Sequence, residues 1–191
     1  MHKFSLTNHL KAEWRHVSQI IPSNNRLEQQ EVDVTKEQNN YDGSLRAHVV
    51  KLLNGGDAHL YFDDLYDGFP IERCGEKIHG LPYTAWQVLE HLRIAQWDII
   101  EFARDPDYVS PSFPEGYWPK EDGNPKLWQA SLTKIRADLN QIVSMVSDTT
   151  NDLLAPFPHG TGQTLLRQAL LIVDHNSYHL GSLALMKRLL Q

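Results

Sequence analysis

The chain has 191 residues and a mass of 22.0 kDa, the size of one ordinary domain, and its 41% hydrophobic and 22% charged residues exclude wholesale disorder. Eighteen basic and 24 acidic residues give a formal net charge of −6, which argues against nucleic acid or an anionic membrane as the main partner. A single cysteine, Cys74, and the lack of an apolar run of signal-peptide or membrane-span length predict a protein of the reducing cytoplasm.

The first 41 residues are predicted to be an extension of the main domain. Apolar residues recur at helical spacing over residues 4–21, which predicts an amphipathic helix that ends before Pro22. Residues 23–40 are rich in Asn, Gln and charge, so this stretch is predicted to be a polar linker or surface wrap. The main domain then covers residues 42–191.

From residue 42 onward the pattern is consistently helical. Asp42 or Ser44 can cap a first helix, whose apolar positions continue past the glycines at 55 and 56 to about residue 65. The two glycines are predicted to kink this helix. The second helix begins at a capping box formed by Thr84 and Gln87, and it is predicted to end near residue 104.

Two more helices complete the predicted domain. The third begins at Asn124, with proline in its first turn, and the fourth follows the glycine-containing turn 160–162 and continues to Leu190. Each apolar stripe needs a facing partner, which predicts an all-α four-helix bundle. The proline-rich connection over residues 105–123 reaches about 60 Å when extended. It could therefore cross the bundle and let the second and third helices point the same way.

Three of the ten histidines form the strongest candidate site. His175 and His179 lie one turn apart on the inward side of the fourth helix, the spacing by which two histidines hold one metal ion. His91 points inward from the second helix, and three imidazoles with open coordination positions are typical of catalytic zinc. The alternative is that these are core histidines bonded to carbonyls or tyrosine hydroxyls.

Several neighbours of these histidines are further candidates. Asp98 lies seven residues after His91 on nearly the same side of the helix. It is a candidate for the hydrogen-bond acceptor of a metal-binding histidine, for a fourth metal ligand or for a general base. Tyr178 is predicted to assist proton transfer. Glu90 lies about 100° from the ligand side of its helix and is expected to be solvated or paired with arginine. The loop aromatics at 117 and 118 either pin the loop over the bundle end or form a pocket wall.

Other metal chemistries fail on spacing. Asn176 rather than glutamate follows His175, so the His-Glu-x-x-His pattern of zinc proteases is absent. The two Glu-x-x-His pairs, at residues 13–16 and 76–79, lie outside the predicted bundle core, which disfavours a di-iron site. The sequence contains neither a glycine-rich phosphate loop nor a Gly-x-Ser-x-Gly elbow.

Two segments together resemble one known family. The stretch WQVLEHLRIAQW over residues 86–97 and the stretch DHNSYHLG over residues 174–181 are similar to the DinB/YfiT-like superfamily of metalloenzymes. The resemblance covers about residues 41–191, and the preceding segment is an addition to the usual family core.

This resemblance implies a four-helix bundle of up-down-down-up order and, in many similar proteins, a homodimer. It also implies a divalent metal ion, often nickel or zinc, held by histidines that match His91, His175 and His179. Characterised relatives include thiol-dependent S-transferases and isomerases that use bacillithiol or mycothiol.

The leading functional hypothesis is a metal-dependent enzyme that acts on a small-molecule substrate. A thiol-dependent S-transferase with a low-molecular-weight thiol as co-substrate is its most specific form. One alternative is a hydrolase that uses metal-bound water. Another is a metal-binding or dimerisation protein without turnover.

Overall fold

The computed structural model describes residues 24–55 and 58–191, and it confirms the all-α prediction. The predicted helix over residues 4–21 lies outside the described residues. The chain divides into two compact units, Met1–Ser44 and Leu45–Gln191. Within the described ranges there is no strand, and no helix has the length and apolar character needed to cross a bilayer. The α-helices are α1 (Asn24–Asn54), α2 (Phe62–Tyr66), α3 (Ala85–Arg104), α4 (Pro125–Ser147) and α5 (Leu165–Leu190), with 3-10 turns at Ile71–Arg73 and Glu115–Tyr117.

The prediction of a polar linker over residues 23–40 is wrong for its described part. Residues 24–40 form the first half of α1, so Asp42 and Ser44 lie inside a helix rather than at its cap. Glutamate, glutamine and lysine have high intrinsic helix propensity even without an apolar stripe. The lack of hydrophobic periodicity therefore argued against packing of this segment on a core, but it did not argue against a helix.

Gly55 ends α1, so the prediction of a kinked helix that continues to about residue 65 is also wrong. Its φ of +76° lies in the left-handed region, and its N–H donates to the carbonyls of Lys51 and Leu52 at 3.2 and 3.0 Å. This is a typical glycine cap of a helix C-terminus. The apolar residues that follow form the separate short helix α2.

The starts of α3, α4 and α5 follow from capping residues that the sequence displays. Thr84 Oγ1 accepts from the backbone N–H of Gln87, and Gln87 Oε1 accepts from the N–H of Thr84, which confirms the predicted capping box. Asn124 caps α4 with proline in the first turn, as predicted, and Thr164 caps α5.

Hydrogen bonds between the long helices fix their directions. The hydroxyl of Ser131 donates to Glu90, and Gln96 Nε2 donates to the carbonyl of Ile135, so α3 and α4 run in the same direction. Between α3 and α5, Asn176 donates to Gln96 at 2.8 Å. Gln168, which comes earlier on α5, lies opposite the carbonyl of Ile99, which comes later on α3. Helices α3 and α5 are therefore antiparallel.

Apolar packing surrounds these polar contacts on both sides. One cluster centres on the buried indoles of Trp86 and Trp128, and the second includes Ile142 and Ile172. Gln96 is completely buried between them, and its bonds to α4 and α5 satisfy its amide. Because any sliding of α3 would break both bonds, this residue stabilises the register that brings His91 opposite α5.

Candidate metal centre

The structure brings the three predicted histidines together. His91 projects from α3, and His175 and His179 project from successive turns of α5. Their ring centroids are between 4.5 and 5.1 Å apart. One nitrogen from each ring lies within 4.8 Å of the other two, and Nε2 of His91 is 3.3 Å from Nε2 of His175. The three imidazoles therefore share one small volume.

A backbone carbonyl orients the His91 ring. Nδ1 of His91 lies 2.9 Å from the carbonyl oxygen of Tyr117, in the turn before the segment that leads to α4. Because a carbonyl oxygen only accepts, the ring proton must be on Nδ1 and the lone pair on Nε2. This is the usual arrangement behind a metal-binding histidine, with its free nitrogen directed at the shared volume.

His175 has no fully satisfied neutral form. With its proton on Nε2 it donates to His91, but the buried Nδ1 has no partner among the residues that the structure describes. With its proton on Nδ1, that N–H is buried without an acceptor and two Nε2 lone pairs face each other. An unsatisfied buried polar group costs about 1–3 kcal/mol. A cation bound by the two facing Nε2 atoms removes the repulsion between their lone pairs.

The donor set and its spacing fit a divalent transition metal. Two nitrogens bound at about 2.0–2.1 Å to one tetrahedral zinc ion are about 3.3–3.4 Å apart. The observed separation between the Nε2 atoms of His91 and His175 is 3.3 Å. Imidazole nitrogens are suitable ligands for zinc and nickel alike, so this geometry does not select between them.

Burial lowers the pKa of all three imidazoles. For His91 this effect is opposed by the bond to Tyr117. The pKa of His175 falls to about 4, mainly by burial and then by the charge of His91, against Asp174. The pKa of His179 falls to about 3, by burial and then by its two partner histidines. At neutral pH the three rings are therefore uncharged, which is the state that binds metal.

Trp118 closes one side of the cluster. Its indole stacks on His91 at a centroid distance of 4.2 Å and an angle of 7°, and on Tyr83 at 3.9 Å and 12°. Two parallel rings so near its centroid cannot share one face, so the indole is sandwiched between them. Trp118 therefore forms a wall beside the cluster, one of the two roles predicted for the loop aromatics.

A cleft of about 330 Å³ lies beside His179. Trp118 and Tyr83 line it on the loop side, and residues of the last turns of α5 line it opposite. Tyr178 lies at this cleft with 73% of its surface exposed, and its ring meets His179 edge to face at 5.0 Å. A small molecule could thus reach the histidine cluster from solvent, with the Tyr178 hydroxyl nearby.

Asp98 is not brought to the three rings. It lies two turns farther along α3 and lines a different cleft, with Phe102 and Arg167. Its Oδ2 accepts from the hydroxyl of Tyr117 at 2.7 Å. Asp98 therefore reaches His91 only through Tyr117, whose ring it anchors while the carbonyl of the same residue holds the imidazole.

Other predictions near the site have clear outcomes. Glu90 pairs with Arg93 at 2.7 Å, which confirms the expected arginine partner. Trp86 is a buried packing residue. The carbonyl of Tyr117 and the ring of Tyr83 were not predicted as site groups. The only sequence signal for these two groups was the presence of aromatic residues in the proline-rich connection and just before α3.

Comparisons with known protein families, with curated proteins and with solved structures give no match for this chain. Membership of the DinB/YfiT-like superfamily therefore stays a prediction from the two sequence segments. The histidine cluster, its carbonyl contact and the adjoining cleft are the observations that bear on function.

Proposed function

We propose that this chain binds one divalent metal ion through His91, His175 and His179 and is a metal-dependent enzyme. The observation that carries the proposal is the convergence of three neutral imidazoles beside an open cleft. Three protein ligands with further coordination positions free are typical of catalytic zinc sites, whereas structural sites use four. A metal-binding protein without turnover would not need the cleft.

The reaction that we propose is transfer to a low-molecular-weight thiol. A divalent cation held by the three imidazoles would supply Lewis acidity toward a thiol or water. The residues that line the cleft include no aspartate, glutamate or lysine to act as a strong base. An ordinary thiol has a pKa near 8.5 whereas that of water is about 15.7, so the thiol needs far less help to ionise. This difference favours an S-transferase over a hydrolase.

The chain's own groups would position and protect the reacting molecules. Trp118 and Tyr83 shield one side of the histidine cluster from water. The Tyr178 hydroxyl, at the cleft, can give or take a proton. Asp98 would act at a distance by anchoring Tyr117, so we assign it a positioning role.

The resemblance to the DinB/YfiT-like superfamily supplies the remaining parts of the proposal. We propose that residues 45–54 of α1 form its up-down-down-up bundle with α3, α4 and α5, and the parallel α3–α4 and antiparallel α3–α5 pairs support this order. Nickel or zinc as the metal, a homodimer and a cytoplasmic location follow from the resemblance and composition alone.

Metal analysis tests the site directly. Protein purified without a histidine tag should contain about one zinc or nickel ion per chain. His179→Ala should lose that ion because two imidazoles remain, whereas His48→Ala, which removes an exposed histidine of α1, should keep it. The measurement is elemental analysis by mass spectrometry after gel filtration. Full metal content in a folded His179→Ala protein would refute the ligand set.

An activity assay separates transfer from hydrolysis. The metal-loaded protein should consume a chlorinated nitroarene only when a low-molecular-weight thiol is added, and His179→Ala should abolish that consumption. Turnover without thiol would favour the hydrolase. The absence of turnover with a panel of thiols and electrophiles, in protein of full metal content, would favour the non-catalytic protein.

Tyr117→Phe should weaken metal binding about tenfold, the lower end of the range for groups that orient a ligand. The change removes the hydroxyl that bonds to Asp98 and thereby loosens the carbonyl that holds His91. Competition with a chromophoric chelator gives the affinity, and the Nδ1–H resonance of His91 should broaden in metal-free protein. Tyr61→Phe, at a half-exposed tyrosine, is the control. Unchanged affinity and resonance would show that the bond does not position His91.

A further inference from the structure

The cleft beside His179 is uncharged along its whole described lining. Its walls are mainly aliphatic and aromatic, with Leu81, Val88, Leu185 and Met186 among them. The polar groups are the His179 ring, the Ser182 hydroxyl and the hydroxyls of two tyrosines. A charged group that entered would lose hydration without gaining an ionic partner from these residues.

The aromatic wall has a specific shape. Both faces of the Trp118 indole are covered, by His91 and by Tyr83, so Trp118 can present only its edge to the cleft. An aromatic edge carries partial positive charge and attracts the negative face of another ring. The ring of Tyr178 is largely exposed at the same cleft and offers a face or edge to an entering molecule.

We propose that this cleft binds an uncharged aromatic group of the substrate, with its ring face against the edge of Trp118. The proposal rests on the proposed function and adds the class of electrophile, a neutral arene or a molecule with a neutral aryl group. The volume of about 330 Å³ is that of a small-molecule pocket. The arene would lie next to His179 and hence beside the three imidazoles.

Leu185 and Leu189 provide a matched pair of variants for the test. They lie one turn apart on α5 and are 51% and 52% exposed, but only Leu185 lines the cleft. Lysine at either position should be tolerated by the fold because both side chains are half in solvent. Leu185→Lys places a cation in the cleft, and Leu189→Lys places the same charge outside it.

The experiment measures binding of three probes to the purified full-length protein by ligand-observed NMR titration. Because a bound dication would itself attract an anion, the comparison is made on protein stripped of metal with EDTA, in which we expect 4-nitrotoluene to bind at least about tenfold more tightly than 4-nitrobenzenesulfonate. Nitrocyclohexane, neutral but not aromatic, should bind several-fold more weakly than 4-nitrotoluene. Leu185→Lys should weaken 4-nitrotoluene binding about tenfold and strengthen sulfonate binding, and Leu189→Lys should change neither.

The outcomes separate this inference from the proposed function because metal content is measured on the same samples. Equal affinity of the EDTA-treated protein for 4-nitrotoluene and the sulfonate would overturn the uncharged cleft, and full metal content before that treatment would leave the metal site intact. Equal binding of nitrocyclohexane would overturn the aromatic preference. Binding of 4-nitrotoluene that Leu185→Lys abolishes, in protein that contains no metal as purified, would support the cleft and contradict the proposed function.

Discussion

Lowering the pH from 7 to 4 should lower the free energy of unfolding of the metal-free protein by about 3 kcal/mol through the histidine cluster alone. In the unfolded chain each histidine has a pKa near 6.5. In the folded protein the pKa of His175 is lowered to about 4 and that of His179 to about 3, mainly by burial. At pH 7 the folded protein holds these two rings uncharged and the unfolded chain protonates only about a quarter of each, so the cluster contributes little pH dependence there.

The sign follows from the number of protons that each state binds. Below pH 6.5 the unfolded chain takes up protons that the folded protein rejects, so stability falls as the pH falls. Each rejected proton costs about 1.4 kcal/mol per pH unit until the folded pKa is reached. We count the loss for one group only, because the charge of His175 lowers the pKa of His179 and the two contributions are therefore not independent.

Urea denaturation at pH 7, 6, 5 and 4 in the presence of EDTA measures this loss. Carboxylates also titrate in this range, so the comparison is with His175→Gln/His179→Gln, whose stability should fall less steeply. The exposed His48 supplies a control, since His48→Gln should follow the wild type. If the wild type and the double variant lose stability in parallel, the two imidazoles are not held neutral by the fold.

The histidine cluster could be predicted from the sequence because part of its geometry is local to one helix. The four-residue spacing of His175 and His179 determines that their rings share a side of α5. His91 could be added because Val88 and Ala95, on the same side of its helix, are apolar, which predicted that this side of α3 faces inward. The antiparallel packing of α3 on α5 then brought the third ring to the first two.

The errors at the N-terminal side have a different physical origin. Residues 24–40 carry no apolar stripe, so a pattern based on burial could not detect a helix that depends on propensity. Past Gly55 the hydrophobic periodicity of α1 continues, because the apolar residues of α2 follow at nearly helical spacing. The left-handed backbone of that glycine ends α1, and hydrophobic periodicity is insensitive to it.

The contacts of the 105–123 connection could not be predicted for a further reason. The carbonyl of Tyr117 reaches His91 across 26 residues, and the indole of Trp118 fits between His91 and Tyr83. Such positions depend on the path of an irregular loop, which has no repeating geometry to extrapolate. The sequence indicated that this loop carries aromatic residues but not which atoms would meet the histidines.

Gly123→Ala should lower the free energy of unfolding by about 3 kcal/mol, because the added methyl group has no space. A Cβ atom at Gly123 would lie 2.3 Å from both Cβ and Cγ of Trp86. Trp86 cannot move away easily, since it is 1% exposed and its indole N–H donates to the carbonyl of Glu121. Its backbone N–H also donates to the carbonyl of Cys74.

This contact holds together the beginnings of α3 and α4, so the substitution tests the parallel arrangement of these helices. Gly181→Ala is the matched control: Gly181 lies inside α5, and nothing is within 4 Å of the position its Cβ would take. There alanine should raise stability by about 0.5–1 kcal/mol, because it restricts the unfolded chain and favours helix. Urea denaturation of both variants at pH 7 gives the two values. A Gly123→Ala protein as stable as the wild type would mean that Trp86 does not pack against the start of α4.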